Sequence, residues 1–80
     1  MGIDEATRVV RSAVLGIVPD ADLDELGADE DLRDALELDS LDFLAFVETL
    51  AASTGVRLDE DDYPRLRTLR GAAELIAQRS

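Results

Sequence analysis

Ser40 is the residue whose setting points to covalent chemistry. It stands in Leu38-Asp39-Ser40-Leu41-Asp42, a lone hydroxyl at the head of an apolar run with an acid on either side. A serine becomes a nucleophile when a neighbouring base takes its proton, usually histidine and sometimes lysine. The 80 residues contain neither. Ser40 is therefore a poor hydrolase nucleophile and a good place for another enzyme to attach a group. No catalytic residue is assigned, and the chain is not expected to be an enzyme. Taken alone, however, a serine in an Asp-Ser-Leu triplet reads as an ordinary helix N-cap.

Other chemistries are narrowed by composition. Cysteine is absent, which removes disulfides and thiolate metal sites. With histidine missing as well, only hard, oxygen-ligated calcium or magnesium sites stay open. Asp20-x-Asp22-x-Asp24 starts like a calcium loop and has Asp31 at its twelfth place. Its sixth position, where the sharp turn needs glycine, is Glu25, and Gly27 comes two residues late. The stretch is read as an acidic solvated loop, and no metal ligand is assigned.

The elements that must position Ser40 follow from apolar spacing. Ile3, Ala6, Val9, Val10, Ala13, Val14, Ile17 and Val18 recur at steps of three and four, predicting an amphipathic helix over about Asp4–Val18, ended by Pro19. Some twenty residues of loop follow. A loop that long in a small domain is usually functional, and Leu23, Leu26, Leu32, Leu36 and Leu38 are expected to pin it across the core. A second helix is predicted over about Ser40–Ser53, stopping near Gly55. A short helical turn is expected around Asp59–Tyr63. Thr68 then reads as the N-cap of a last helix that buries Leu69, Ala72, Ala73 and Ile76, with Leu75 beside them. The expected fold is an all-α, four-helix bundle of three longer helices and one short one, forming a single domain over 1–80, with a long loop between helices one and two.

The second helix carries more apolar residues than one core-facing stripe requires. Leu44, Val47 and Leu50 share one face with Phe46 on its flank, and these are expected to be buried. Leu41, Ala45 and Ala52 line the opposite side with Glu48, an arrangement suited to docking a protein.

Charge is unevenly spread within the net −11. From Asp20 to Asp42 eleven acids face Arg33 alone, a local net of −10, whereas after Tyr63 four arginines face only Glu74. Such a field repels nucleic acid and anionic lipid and draws in basic protein surfaces. No segment approaches the roughly 18 apolar residues of a membrane span, so no stable membrane insertion is expected. The acidic start Met1-Gly2-Ile3-Asp4-Glu5 lacks a signal peptide's basic front, and Ala6 stands where a myristoylation signal wants Ser or Thr. The expected location is cytoplasmic.

The Leu38-Asp39-Ser40-Leu41-Asp42 motif, the acidic loop before it, the apolar helix after it, Gly55-Val56-Arg57-Leu58 and the closing Thr68-Leu69 segment together resemble an acyl carrier protein. The resemblance covers nearly the whole chain. It implies a four-helix fold with 4′-phosphopantetheine, taken from coenzyme A by a phosphopantetheinyl transferase, on Ser40. The arm's thiol then carries acyl groups as thioesters to acyl-loading and acyl-processing enzymes with basic or apolar docking patches. Asp39, Leu41, Asp42, Phe43, Ala45, Glu48 and Ala52 are the implied partner-binding residues. A monomer is expected, and Met1 with the short ends favours a free-standing carrier. An acyl chain slipping between the helices would be shielded, since burial is worth about 0.8 kcal/mol per methylene.

Departures from the family pattern bear on the pathway. Carriers of housekeeping fatty-acid synthesis tend to stud the second helix with glutamates, where this chain has Ala45, Ala51 and Ala52, with Glu48 displaced. Phe43 adds an aromatic near the serine. These differences imply a specialised carrier in fatty-acid, lipid or polyketide biosynthesis. A peptidyl or aminoacyl carrier is the rival, but that group usually shows glycines and often histidine before the serine, where Glu37-Leu38-Asp39 stands here.

Overall fold

In the computed structural model, which describes residues 1–80, the first amphipathic stretch forms α1 (Ile3–Ile17). Asp4 and Glu5 put carboxylates in its first turn, at the positive end of the helix dipole. Val18 closes it by donating its N–H to the Val14 carbonyl at 2.8 Å. Pro19 then blocks continuation by disfavouring helical geometry in the residue before it. Ala6, Val10, Ala13 and Val14 are buried, whereas Ile3, expected on the same stripe, is exposed at the helix start.

The long loop is pinned by its leucines as expected. Leu23, Leu32 and Leu38 are buried, and Leu26 and Leu36 pack against the core. Within the loop lies a further short helix, α2 (Leu32–Ala35). Asp31 caps it, accepting from the N–H groups of Arg33 at 2.9 Å and Asp34 at 3.2 Å. The loop is tied to the far end of the chain as well. Leu32 N–H donates to the Arg67 carbonyl at 2.7 Å and Arg70 N–H to the Ala28 carbonyl at 3.0 Å. Asp31 and Asp29 pair with Arg67 and Arg70. The segregation of acids and arginines along the sequence therefore has an internal use in holding this loop.

Helix α3 (Ser40–Thr54) ends at Gly55, whose φ of 71° is the left-handed conformation that glycine adopts without a Cβ penalty. The short turn expected near Asp59 is a 3₁₀ turn (Glu60–Asp62) that runs into α4 (Tyr63–Leu66). Helix α5 (Leu69–Arg79) starts at Thr68, whose Oγ1 accepts from Gly71 N–H at 2.9 Å. It buries all five residues expected of it. Helix α1 packs against both α5 and α3, and α4 against α5. The fold is the expected all-α carrier-like bundle, with α2 as an addition inside the loop. No helix is long and apolar enough to cross a membrane.

The phase of α3 differs from expectation at one position. Leu44 is 37% exposed, and Phe43 takes the buried place instead at 4%. Phe43, Phe46, Val47 and Leu50 form the inward stripe, at the i, i+3, i+4, i+7 spacing. The larger ring gains more from the interior. Its centroid lies 5.6 Å from Tyr63 in edge-to-face geometry and 6.2 Å from Phe46.

Candidate functional site

Asp39, and not Ser40, caps α3. Its backbone is extended, its carbonyl accepts from Phe43 N–H at 3.0 Å, and its carboxylate accepts from Asp42 N–H at 2.8 Å. Ser40 thus occupies the first helical position, and its exposed hydroxyl is released from the capping role that a bare Asp-Ser-Leu triplet suggests. Glu37 sets up this geometry. Its φ of 55° turns the chain after α2, so that Leu38 enters the core while Asp39 and Ser40 stay outside. A side chain in that region costs roughly 1–2 kcal/mol.

Ser40 borders a cleft of about 730 Å³. The loop contributes Asp29, Asp31 and Arg33 to its walls, α3 contributes Phe43 and Leu44, and the segment from the 3₁₀ turn to α5 contributes Glu60, Tyr63, Pro64, Arg67 and Thr68. Most of the residues that line it carry polar or charged groups, yet the surface they present is more apolar than polar, with Phe43 and Leu44 of α3 facing Tyr63 and Pro64. The Arg33 guanidinium lies 5.8 Å from the Phe43 ring centroid, and its Nε donates to the Leu38 carbonyl at 3.5 Å. Arg33 was legible in the sequence as the lone cation of the acidic stretch. Tyr63 and Arg67 carried no local signal, since the fold brings them here from the other end of the chain.

The residues expected to dock partners divide. Leu41 is 76% exposed, and Asp39, Asp42, Glu48 and Ala52 are also on the surface, while Ala45 is half-buried. Phe43 is the correction: its ring forms an inner wall of the cleft and is not part of an outer docking face. Leu44 is its exposed neighbour. In the acidic loop, Asp22 accepts from the N–H groups of Asp24 and Glu25, and Asp24 pairs with Arg11 at 3.1 Å. These carboxylates serve local turns and an ion pair, and no three acidic side chains converge on a common point.

The donor set at Ser40 fits a phosphodiester-linked arm. An exposed hydroxyl stands in the first turn of a fifteen-residue helix, where unpaired N–H groups and the positive dipole end favour an anion. A family model described as "Phosphopantetheine attachment site" matches residues 8–76, a span that takes in most of α1, the loop, α3, α4 and most of α5. Among curated proteins and among solved structures, none matches the chain significantly. The chain belongs to the phosphopantetheine attachment site family, whose domain is where 4′-phosphopantetheine is covalently attached.

Proposed function

We propose that this protein is an acyl carrier whose 4′-phosphopantetheine is attached at Ser40 and whose partners come from specialised fatty-acid, lipid or polyketide biosynthesis. The observation that carries the reading is the exposed Ser40 hydroxyl at the first position of α3, with Asp39 capping the helix beside it. The arm supplies the thiol that holds the acyl group. This chain supplies the positioned hydroxyl, the helix N-terminus that tolerates the new negative charge, and the surface that partners read. A base and a cation, which phosphoryl transfer also needs, come from the transferase.

Asp39 and Asp42 flank the serine and offer charge to basic partner surfaces, while Leu41, Leu44 and Ala52 offer apolar contact beside Glu48. That mixture supports enzymes that read greasy contacts more than a ladder of glutamates. The carrier domain acts as a monomer in the cytoplasm. Phe46, Leu50, Leu66, Leu75 and Ile76 are fully buried in the core, so a long alkyl chain must part the helices to be shielded among them.

Incubation with coenzyme A and a broad-specificity transferase, followed by mass spectrometry, tests the assignment. One phosphopantetheine addition that Ser40→Ala abolishes is expected; no addition with several transferases overturns it. Loading by acyl ligases and not by amino-acid ligases separates the acyl from the aminoacyl reading. Efficient turnover by general fatty-acid synthases would count against a specialised pathway.

A further inference from the structure

Five of the eight arginines sit in ion pairs: Arg11, Arg57, Arg67, Arg70 and Arg79. Arg33 has no carboxylate partner, although Asp29, Asp31, Asp34, Glu37 and Asp39 surround it in sequence. Three of those acids are engaged elsewhere, Asp29 with Arg70, Asp31 with Arg67, and Asp39 with the Asp42 N–H. Arg33 is also half-buried, held over Phe43 on the wall of the cleft that Ser40 borders. A partly desolvated guanidinium without a counterion, in a chain of net charge −11, is an unfilled anion position.

Arg33 of α2 lines the same cleft as Ser40 and Phe43 of α3. Phe43 lies three residues after Ser40, and side chains at i and i+3 of a helix are neighbours, about 5–6 Å apart at Cβ. The guanidinium over Phe43 and the Ser40 hydroxyl therefore border one cleft. Arg67 lines the same cleft and pairs with Asp31 through a terminal nitrogen while its buried Nε has no partner, so its charge is already matched, and Glu60 is the cleft carboxylate with no ion pair.

Resting on the attachment of the arm to Ser40, we propose that Arg33 is a positioning residue that pairs with the phosphodiester and leans the root of the arm into the cleft. Arginine's planar fork suits two phosphate oxygens at once. Asp39 and Asp42 repel the same phosphate from the outer side of the helix start. The arm thus receives a direction, toward the wall of Phe43 and Tyr63, and a loaded acyl group begins its path at the cleft.

The test uses holo protein made with coenzyme A, its single addition verified by mass spectrometry. The Arg33 side-chain ¹⁵N resonances are compared between apo and holo wild type, and the ³¹P resonance between holo wild type, Arg33→Gln, Arg33→Lys and Arg65→Gln. The Arg33 signals are expected to move on modification. The ³¹P signal is expected to shift by more than its linewidth in Arg33→Gln, to move back in Arg33→Lys, and to stay fixed in Arg65→Gln, which removes an exposed arginine outside the cleft. Unchanged ³¹P and Arg33 signals in a protein that carries the arm overturn the role of Arg33 while leaving the carrier assignment intact. Absence of any addition defeats the assignment itself. If Arg33→Gln does not fold, the apo-to-holo comparison in wild type decides alone.

Discussion

Arg79 grips the carboxylate of Asp62 with both terminal nitrogens, at 2.6 and 2.7 Å, and so ties the last turn of α5 to the 3₁₀ turn before α4. Asp62 is the buried charged side chain of the fold, 7% exposed, and also accepts from Asp59 N–H at 2.9 Å. The Arg79 hydrogen bonds first, and the Asp59 N–H second, hold its carboxyl below the usual carboxylate range against the opposing effect of burial. A carboxylate depressed on folding adds stability at neutral pH and loses it as pH falls through the depressed value. Arg79→Gln is expected to melt below wild type at about pH 7, with the gap narrowing as pH drops below the ordinary carboxylate value of about 3.9. Comparison at each pH cancels the general relief of charge repulsion that acid brings to both proteins. A gap that stays constant down to strong acid would assign Arg79 a packing role instead.

Gly71 marks the closest approach of α5 to the chain before it. A Cβ there would meet the Arg65 carbonyl oxygen at 2.2 Å and Thr68 Oγ1 at 2.9 Å, and the first of these is backbone that cannot step aside. Gly71→Ala is expected to destabilise by about 1–3 kcal/mol, the usual cost of forcing atoms into a packed site. Gly16, within α1, has nothing within 4 Å of such a Cβ. Gly16→Ala should therefore stabilise by roughly 0.5–1 kcal/mol through helix propensity. Urea unfolding of the two variants checks both signs, and equal effects would show that the contact at Gly71 does not govern.

Glu37 carries a left-handed backbone three residues before Ser40. Glycine removes the Cβ penalty there but adds freedom to the unfolded chain, so Glu37→Gly should stabilise by at most about 1 kcal/mol. Glu37→Val, branched at Cβ, should destabilise by about 1 kcal/mol or more. Because this turn aims Ser40 outward, the rate of arm attachment is expected to fall in the valine variant and hold in the glycine variant. Equal rates in folded samples of both would detach the turn from the presentation of the serine.

What the sequence disclosed depended on how far each determinant reached along the chain. The ends of α1, the Gly55 stop and the Thr68 cap are set by neighbours within a turn, and they fell within a residue or so of expectation. The inward phase of α3 was ambiguous because the helix is apolar almost all round, and hydropathy does not choose between Phe43 and Leu44; the partner ring of Tyr63 does. Helix α2 is four residues long and has no period to detect. The cap of α3 went to Asp39 where a bare triplet points to Ser40, since both residue types cap well. The cleft and its arginines depend on pairings such as Asp29 with Arg70, forty-one residues apart, that no local pattern encodes.

The exposed side of α3, which is proposed to meet partners, separates from the side that holds the fold. Leu41 is mostly solvent-exposed, so Leu41→Asp removes little buried surface and is expected to change stability by no more than about 0.5 kcal/mol. It places a further acid next to Asp39 and Asp42 and deletes an apolar contact beside Ser40. Partner enzymes that dock through apolar contacts should therefore bind it at least tenfold more weakly, the equivalent of about 1.4 kcal/mol. Phe43→Ala empties a buried ring position between Phe46 and Tyr63 and should cost about 3–5 kcal/mol of stability. Thermal melts and partner titrations on the same two variants read these effects apart. If Leu41→Asp binds partners as wild type does, the apolar surface beside Ser40 is not where they dock, and the acids of the helix start carry recognition without it.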